Sequence, residues 1–194
     1  MLANLDRAHP GSLGRPTPLY DVRIQLDDGS FAASDEEGEV VVVPHGDQHG
    51  VFMGYCNHDA LYEEVWAGGV YHTGDIAWRD KDGLFWYVGR KDDLIKTRGF
   101  RVGPFEVENV LERHPAVVEC AVVGELDPVR GQSVVAFVLL GKDWQASDEL
   151  AKEIRNFCNG RLAAYKHVAR VEFVSHLPKT ISGKVKRVQL RNRV

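Results

Sequence analysis

Two styles of hydrophobic patterning divide this 194-residue chain. Up to about residue 90, apolar and polar positions alternate over short stretches, the two-residue period of a half-buried strand. Tyr20-Asp21-Val22-Arg23-Ile24-Gln25-Leu26 has that period, and Asp27-Asp28-Gly29 after it is a turn signal. Glu39-Val40-Val41-Val42-Val43 predicts a more buried strand. Ile76-Ala77-Trp78 and Leu84-Phe85-Trp86-Tyr87-Val88 flank Asp80-Lys81-Asp82-Gly83, which predicts a hairpin. Only the segment from Asp59 to Trp66 reads as helical, so this part predicts a small barrel-like or sandwich-like β unit.

Beyond Arg90 the pattern becomes mixed. Leu94 to Lys96 and Phe100 to Val102 are short apolar runs around Arg98-Gly99, where glycine permits the positive φ of a tight hairpin turn. Pro104 fits the first turn of a helix, where its missing N–H costs nothing, and Val107, Val110 and Leu111 share one face of that helix, which Pro115 limits. A strand follows at Val117 to Val123, then a loop from Gly124 to Gln132, then an apolar strand from Val134 to Leu140. Ser147 caps a second helix whose apolar side is Leu150, Ile154, Phe157 and Cys158, and Gly160 stops it. Val171 to Val174 is the last strand. The expected fold is α+β: a small β-barrel-like subdomain over residues 1–90, then a compact α/β domain over 91–194 with an antiparallel sheet and flanking helices. The junction at Arg90 to Asp92 is read as a tight hinge.

Composition narrows the function. Hydrophobic residues make up 44% of the chain, enough for a packed core, and the formal net charge of -4 gives no overall attraction to nucleic acid. Any phosphate binding therefore has to come from local basic clusters. Cys56, Cys120 and Cys158 are widely spaced and form neither a disulfide framework nor a zinc pattern, which suits a reducing, cytoplasmic home. The longest apolar run, Ser133 to Leu140, is far short of the ~20 residues that span a bilayer.

Three stretches carry chemistry. In Tyr71-His72-Thr73-Gly74-Asp75, read as the end of an extended segment, Gly74 lets the backbone approach a ligand and Asp75 offers two acceptors suited to vicinal ribose hydroxyls; otherwise the pair is merely a turn. Asp92 and Asp93 are adjacent carboxylates, but no His or third carboxylate is spaced with them as a metal set. Arg90 could simply pair with one of them. Pro178-Lys179-Thr180-Ile181-Ser182-Gly183-Lys184 ends in Gly-Lys but lacks the spacing and following helix of a phosphate-binding P-loop. Its lysine, on a loop of turn formers, can meet developing negative charge on a carboxylate and a phosphate. The basic tail of Lys184, Lys186, Arg187, Arg191 and Arg193 otherwise reads as a solvated face, the four tryptophans and Phe137 as packing, and His72 as structural.

Taken together, Gly89 to Glu108, Tyr71 to Asp75 and Pro178 to Lys184 resemble motifs of the adenylate-forming enzymes, the group of acyl-CoA synthetases, peptide-synthetase adenylation domains and luciferases. The resemblance implies that Asp75 binds the adenosine ribose, that Arg90 contacts the same nucleotide, and that Asp92 is the pivot about which a small C-terminal domain rotates between half-reactions. It implies that Lys184 stabilises the transition state of acyl-adenylate formation. It also implies that Gly99, Phe100 and Arg101 line the CoA pantetheine channel after rotation, with Arg101 and Arg130 as candidates for the CoA phosphates.

Gly103 to Glu108, Val117 to Gly131, Ala164-Tyr165-Lys166 and Glu172-Phe173-Val174 look most like acetyl- and medium-chain acyl-CoA synthetases. Lys96 to Arg101 is slightly closer to peptide-synthetase adenylation domains, which pass the acyl group to a carrier protein. The family's Ser/Thr/Gly-rich phosphate loop, acyl-pocket motif and magnesium-holding Glu segment have no match here. The expectation is therefore the C-terminal portion of an ATP- and CoA-dependent acid–thiol ligase, inactive without the large domain that supplies the acyl pocket and the Mg2+ ligand. A stand-alone module binding nucleotide or CoA is the alternative of a different class.

Overall fold

β-branched runs separated by glycine turns build the first half as one antiparallel sheet. The computed structural model describes residues 9–45 and 54–194, and they divide into two units, one running to Asp92 and the other from Asp93 to Val194. The first contains strands β1 (Ser12–Gly14), β2 (Asp21–Gln25), β3 (Glu37–Val43), β4 (Tyr71–Arg79) and β5 (Phe85–Arg90), with helix α1 (Asp59–Val65) and a 3-10 turn at Ala67–Gly69 before β4. The strands lie in the order β1-β5-β4-β3-β2. Closing a sheet into a barrel needs a ladder between its edge strands. The edges here are short, three residues in β1 and five in β2, and no ladder joins them among the described residues. The barrel-like unit is thus an open sheet.

One face of this sheet packs Ile24, Val40, Ala77 and Phe85 into a small core. The expected hairpin forms between β4 and β5, with Trp78 stacked on Trp86 at 5.6 Å between ring centroids. The Trp86 Nε1–H donates to Asp80 Oδ2 across 2.8 Å, and this bond, with the Leu84 N–H, holds the Asp80 carboxyl below the usual range.

The second unit is built around two long paired strands, β8 (Val117–Asp127) and β9 (Gly131–Leu140). It also contains β6 (Ile95–Thr97), β7 (Phe100–Val102), β10 (Val168–Phe173), helices α2 (Pro104–Leu111), α3 (Asp148–Asn159) and α4 (Arg187–Arg191), and a 3-10 turn at Ala164–Lys166. The continuous apolar runs of β8 and β9 follow from burial on both faces. Cys120, Val122, Val134, Ala136 and Val138 join Val107, Leu111, Leu150, Ile154 and Cys158 from α2 and α3 in one cluster. The alternate residues Ala121, Val123, Val135 and Phe137 meet Leu177 and Leu190 in the other. Ser147 Oγ accepts the Leu150 N–H at 3.1 Å, the cap its sequence predicts for α3.

Three sequence expectations need correction here. The loop expected from Gly124 to Gln132 is mostly ladder, with Glu125 opposite Ser133 and Leu126 opposite Gln132. A ribbon that projects past its core pairs through backbone alone, so its side chains carry no apolar period. β10 runs parallel to β9, because α3 lies between them in the chain and returns it to the same end of the sheet. Lastly, the basic tail is not simply solvated: Arg187 and Arg191 are ion-paired to carboxylates within the unit.

Candidate functional site

In the first unit the site grows from an irregularity in the sheet. Tyr71 to Asp75 opens β4 rather than ending an extended segment, and the β3–β4 register slips between Glu39 and Val41. At that slip Thr73 Oγ1 donates to the Val40 carbonyl (2.7 Å) and accepts the Asp75 N–H (3.1 Å). Gly74 takes φ of 72°, and a Cβ there would sit 2.6 Å from Arg90 Nη2, so both the backbone and the guanidinium need glycine. Such a bulge re-aims the side chain that follows it.

Asp75 and Arg90 are consequently brought together, opposite each other in the β4–β5 register. Arg90 Nη1 donates to the Thr73 carbonyl at 2.7 Å and to Asp75 Oδ1 at 3.3 Å, while its Nε lies 3.4 Å from Asp92 Oδ1. Partial burial opposes the charge on Arg90, but Asp75 and then Asp92 outweigh it and raise the pKa. Both partners of the Asp75 pair remain about two-fifths exposed, so solvent screens it and it contributes little stability. The pair sets a carboxylate and a guanidinium side by side, and Arg90 itself lines a hollow of about 700 Å³ with Glu39, Tyr71, Thr73 and Gly74.

Glu39 is the residue that sequence reading missed. It is 7% exposed, and its two oxygens accept from the Gly74 N–H (3.0 Å), Lys91 Nζ (2.9 Å) and His72 Nδ1 (3.1 Å). Burial works to raise the carboxyl pKa, yet the hydrogen bonds from Lys91, His72 and Gly74 win and hold it below 4.5. The signal was a lone charge inside the predicted buried strand Glu39 to Val43, which needs partners. His72 bonds through Nδ1 to this carboxylate and through Nε2 to the Ala67 carbonyl, at 3.2 Å.

In the second unit, β6 and β7 form the predicted hairpin, with Arg98 (φ 50°) and Gly99 (φ 82°) at its turn. A Cβ on Gly99 would meet nothing within 4 Å, so its site is open space. Phe100 is exposed yet stacks on Tyr165 with centroids 4.4 Å apart. Arg101 lies opposite Lys96 on β7. Arg130 belongs to the β8–β9 turn, and its carbonyl accepts the Arg98 N–H at 2.8 Å, so the two loops are joined. That turn is fixed by Asp127, whose Oδ1 accepts the N–H groups of Arg130 and Val129 at 2.9 Å and whose carboxyl pKa is thereby lowered. A polar hollow of about 210 Å³ lies among Arg98, Arg130, Ser133, Tyr165 and His167.

Lys184 is exposed at the end of a closed loop. Lys179 bridges Val185, the Thr180 N–H bonds to the Lys184 carbonyl (2.8 Å), and Thr180 Oγ1 accepts the Lys184 N–H (3.1 Å). The backbone of Lys184 is held while its side chain is offered outward. Among the described residues no group of three or more His, Cys, Asp or Glu side chains could hold a metal ion, and no helix is long and apolar enough to cross a membrane.

The re-aimed Asp, the tight Arg-Gly hairpin and the lysine-bearing glycine loop stand in a chain whose residues 106–184 match the AMP-binding enzyme C-terminal domain. More particularly, it is similar to CoA ligases. The 4-hydroxybutyrate–CoA ligase 1 of Metallosphaera sedula is 47% identical over 188 residues, which are 96% of this chain and 33% of that protein. The mitochondrial acyl-coenzyme A synthetase ACSM3 of Homo sapiens is 44% identical over 95% of this chain and 32% of its own length. Among solved structures, the anthranilate CoA ligase AuaEII in complex with anthranoyl-AMP aligns with a TM-score of 0.83 and 36% identity, over 95% of this chain and 34% of that one. The chain spans about a third of the length of the relatives it matches.

Proposed function

We propose that this chain is the C-terminal part of an ATP-dependent acyl-CoA synthetase. The full-length protein would convert carboxylate and ATP to acyl-AMP and pyrophosphate, then acyl-AMP and CoA to acyl-CoA and AMP. What supports this most is that relatives named as CoA ligases match nearly the whole chain while the chain carries the Asp75–Arg90 pair and the Lys184 loop intact.

In this reading Asp75 accepts from the ribose hydroxyls and Arg90 contacts the same nucleotide from β5. Lys184 neutralises charge building up at the carboxylate and the α-phosphate. Asp92 is the hinge between residues 1–90 and 91–194, and after rotation the Gly99 turn, with Phe100 and Arg101, lines the pantetheine path. Arg101 and Arg130 meet CoA phosphates, where guanidinium forks suit phosphate oxygens. Mg2+ is expected on a ligand from the large domain that these residues would join, and a cytoplasmic location is the simplest. The acyl pocket would belong to that large domain too, so residues 1–194 alone are inactive in this reading.

Two measurements test it. Calorimetric titration of the 194-residue chain with AMP and with CoA is expected to show no tight binding; saturable binding to either would make the chain a working module and replace this reading. The full-length ligase is expected to release AMP and pyrophosphate in step with thioester. Release of ADP and phosphate would sink the adenylate route.

A further inference from the structure

The loop that carries Lys184 is anchored where the chain leaves it. Arg187, three residues on, opens the five-residue helix α4, too short to hold itself and with Leu190 its one buried residue. Its Nη2 donates to both oxygens of Glu108 at 2.8 Å, and its Nη1 lies 3.3 Å from Asp93 Oδ2. Arg191 Nη1 reaches the other Asp93 oxygen, also at 3.3 Å. Glu108 lies on α2, 6% exposed, and its Oε1 also accepts the Val122 N–H of β8 at 2.8 Å. The other root of the loop is pinned as well: the Lys186 N–H bonds to the Pro178 carbonyl (2.8 Å), and Lys179 Nζ pairs with Glu119 at 2.8 Å.

Asp93 is the residue immediately after Asp92. We propose that Glu108, Arg187 and Asp93 form a positioning brace that fixes the Lys184 loop to the first residue beyond the hinge, so that rotation at Asp92 delivers Lys184 at a set distance and angle. The inference deepens the proposed function and rests on its reading of Lys184 and Asp92. Stability alone is a poor reason for such a cluster, since apolar residues of similar volume commonly serve a buried site as well or better. A planar guanidinium tied through Nη2 to Glu108 and through Nη1 to Asp93, in contrast, is fixed in direction. The brace joins four separate pieces of chain: the post-hinge residue, α2, β8 and α4. In this reading adenylation would depend on the brace only through where the loop points, since none of its members is assigned a contact with substrate.

The test compares Arg187→Met, Arg187→Lys and Glu108→Gln with the unaltered 194-residue chain by amide hydrogen exchange. In Arg187→Met and Glu108→Gln the Thr180 and Lys186 amides are expected to exchange about tenfold faster while the β8–β9 amides keep their rates, the mark of local opening. Arg187→Lys is expected to lie between. Unchanged loop amides, or equal acceleration in loop and strands, would overturn the brace. In the full-length ligase Arg187→Met is expected to lower kcat for adenylation about tenfold or more, because misplacing a reacting group by about 1 Å costs rate. KM for ATP is expected to hold, since Asp75 and Arg90 are untouched; a rise in KM alone would also overturn the proposal. Lys184→Ala, run beside it, reports on the underlying reading: normal adenylation in that variant refutes the role of Lys184, and the exchange data then decide the brace by themselves.

Discussion

Asp75 and Lys184 are held in opposite ways. Asp75 stands on a strand, paired with Arg90 of β5, its N–H held by Thr73 at the slip in the β3–β4 register and its direction set by a bulge and a positive-φ glycine. Lys184 stands on an exposed loop and owes its placement to bonds at the loop's two roots. Yet each region relies on one buried glutamate. Glu39 gathers Gly74, His72 and Lys91 around the Asp75 turn, and Glu108 gathers Arg187 and Val122 around the exit of the Lys184 loop. The contrast teaches that a rigid element needs its carboxylate to shape a local turn, whereas a loop needs one to tie it to distant chain.

The comparison breaks most sharply at Lys184. In the full-length ligase, Lys184→Ala should lower the adenylation rate by about 10²–10³-fold, the usual cost of removing one preorganised charge stabiliser. Thioester formation from preformed acyl-adenylate should survive; equal loss of both steps would show that the two half-reactions share this lysine.

Next come two of the positive-φ glycines, Gly74 and Gly99. Gly74→Ala forces a side chain into left-handed backbone, at about 1–2 kcal/mol, and pushes a Cβ against the Arg90 guanidinium. Denaturant melts should show the first unit destabilised, and the full-length enzyme should lose nucleotide affinity. Gly99→Ala meets no atom within 4 Å, so it should cost only the backbone term, about 1–2 kcal/mol. Gly99→Leu should slow the thioester step and leave adenylation intact. If instead adenylation falls with it, the hairpin turn does not serve the CoA step alone.

Glu39→Gln sharpens the first half of the comparison. Loss of the charged acceptor for Lys91 should destabilise the fold by about 1–3 kcal/mol. Because the native carboxyl titrates below its ordinary 4.5, its stabilisation is complete above that pH and is lost as pH falls through the lower native value. The difference in stability between Glu39→Gln and the unaltered chain should therefore shrink in acid below 4.5 and stay constant above it. A pH-independent gap would mean that the carboxylate charge is not what matters.

The smallest effect is on thiol chemistry, where the units again differ. Cys56 of the first unit is exposed, while Cys120 and Cys158 are buried in the second. Burial pushes the Cys158 thiol up to about 11 and that of Cys120 higher still. A disulfide exchange reagent at neutral pH should titrate one thiol promptly and the other two only on unfolding. Prompt reaction of all three would reveal opening of the second unit's core.

Much of this could be read along the chain. Alternation and turn residues placed β2, β3 and the β4–β5 hairpin, and Pro104 and Ser147 placed the starts of α2 and α3. The family resemblance singled out Asp75, Arg90 and Lys184. What escaped was long-range. The extension of β8 and β9 past Gly124 leaves no apolar period because ribbon pairing uses backbone groups. Arg187 looked like one more solvated cation, since its partners lie 79 and 94 positions away. The parallel pairing of β10 depends on where α3 returns the chain, and no single strand encodes that.

Local chemistry, then, was settled by sequence: which residues turn, which alternate, which helix begins where, and which loops carry charge. These depend on φ preferences, side-chain shape and the period of hydrophobicity, all of which act over a few neighbours. Tertiary structure alone decided which buried carboxylate answers which cation. A charge removed from water must find a partner, and at Glu39 and Glu108 the partners come from chain segments that only folding brings within hydrogen-bonding distance.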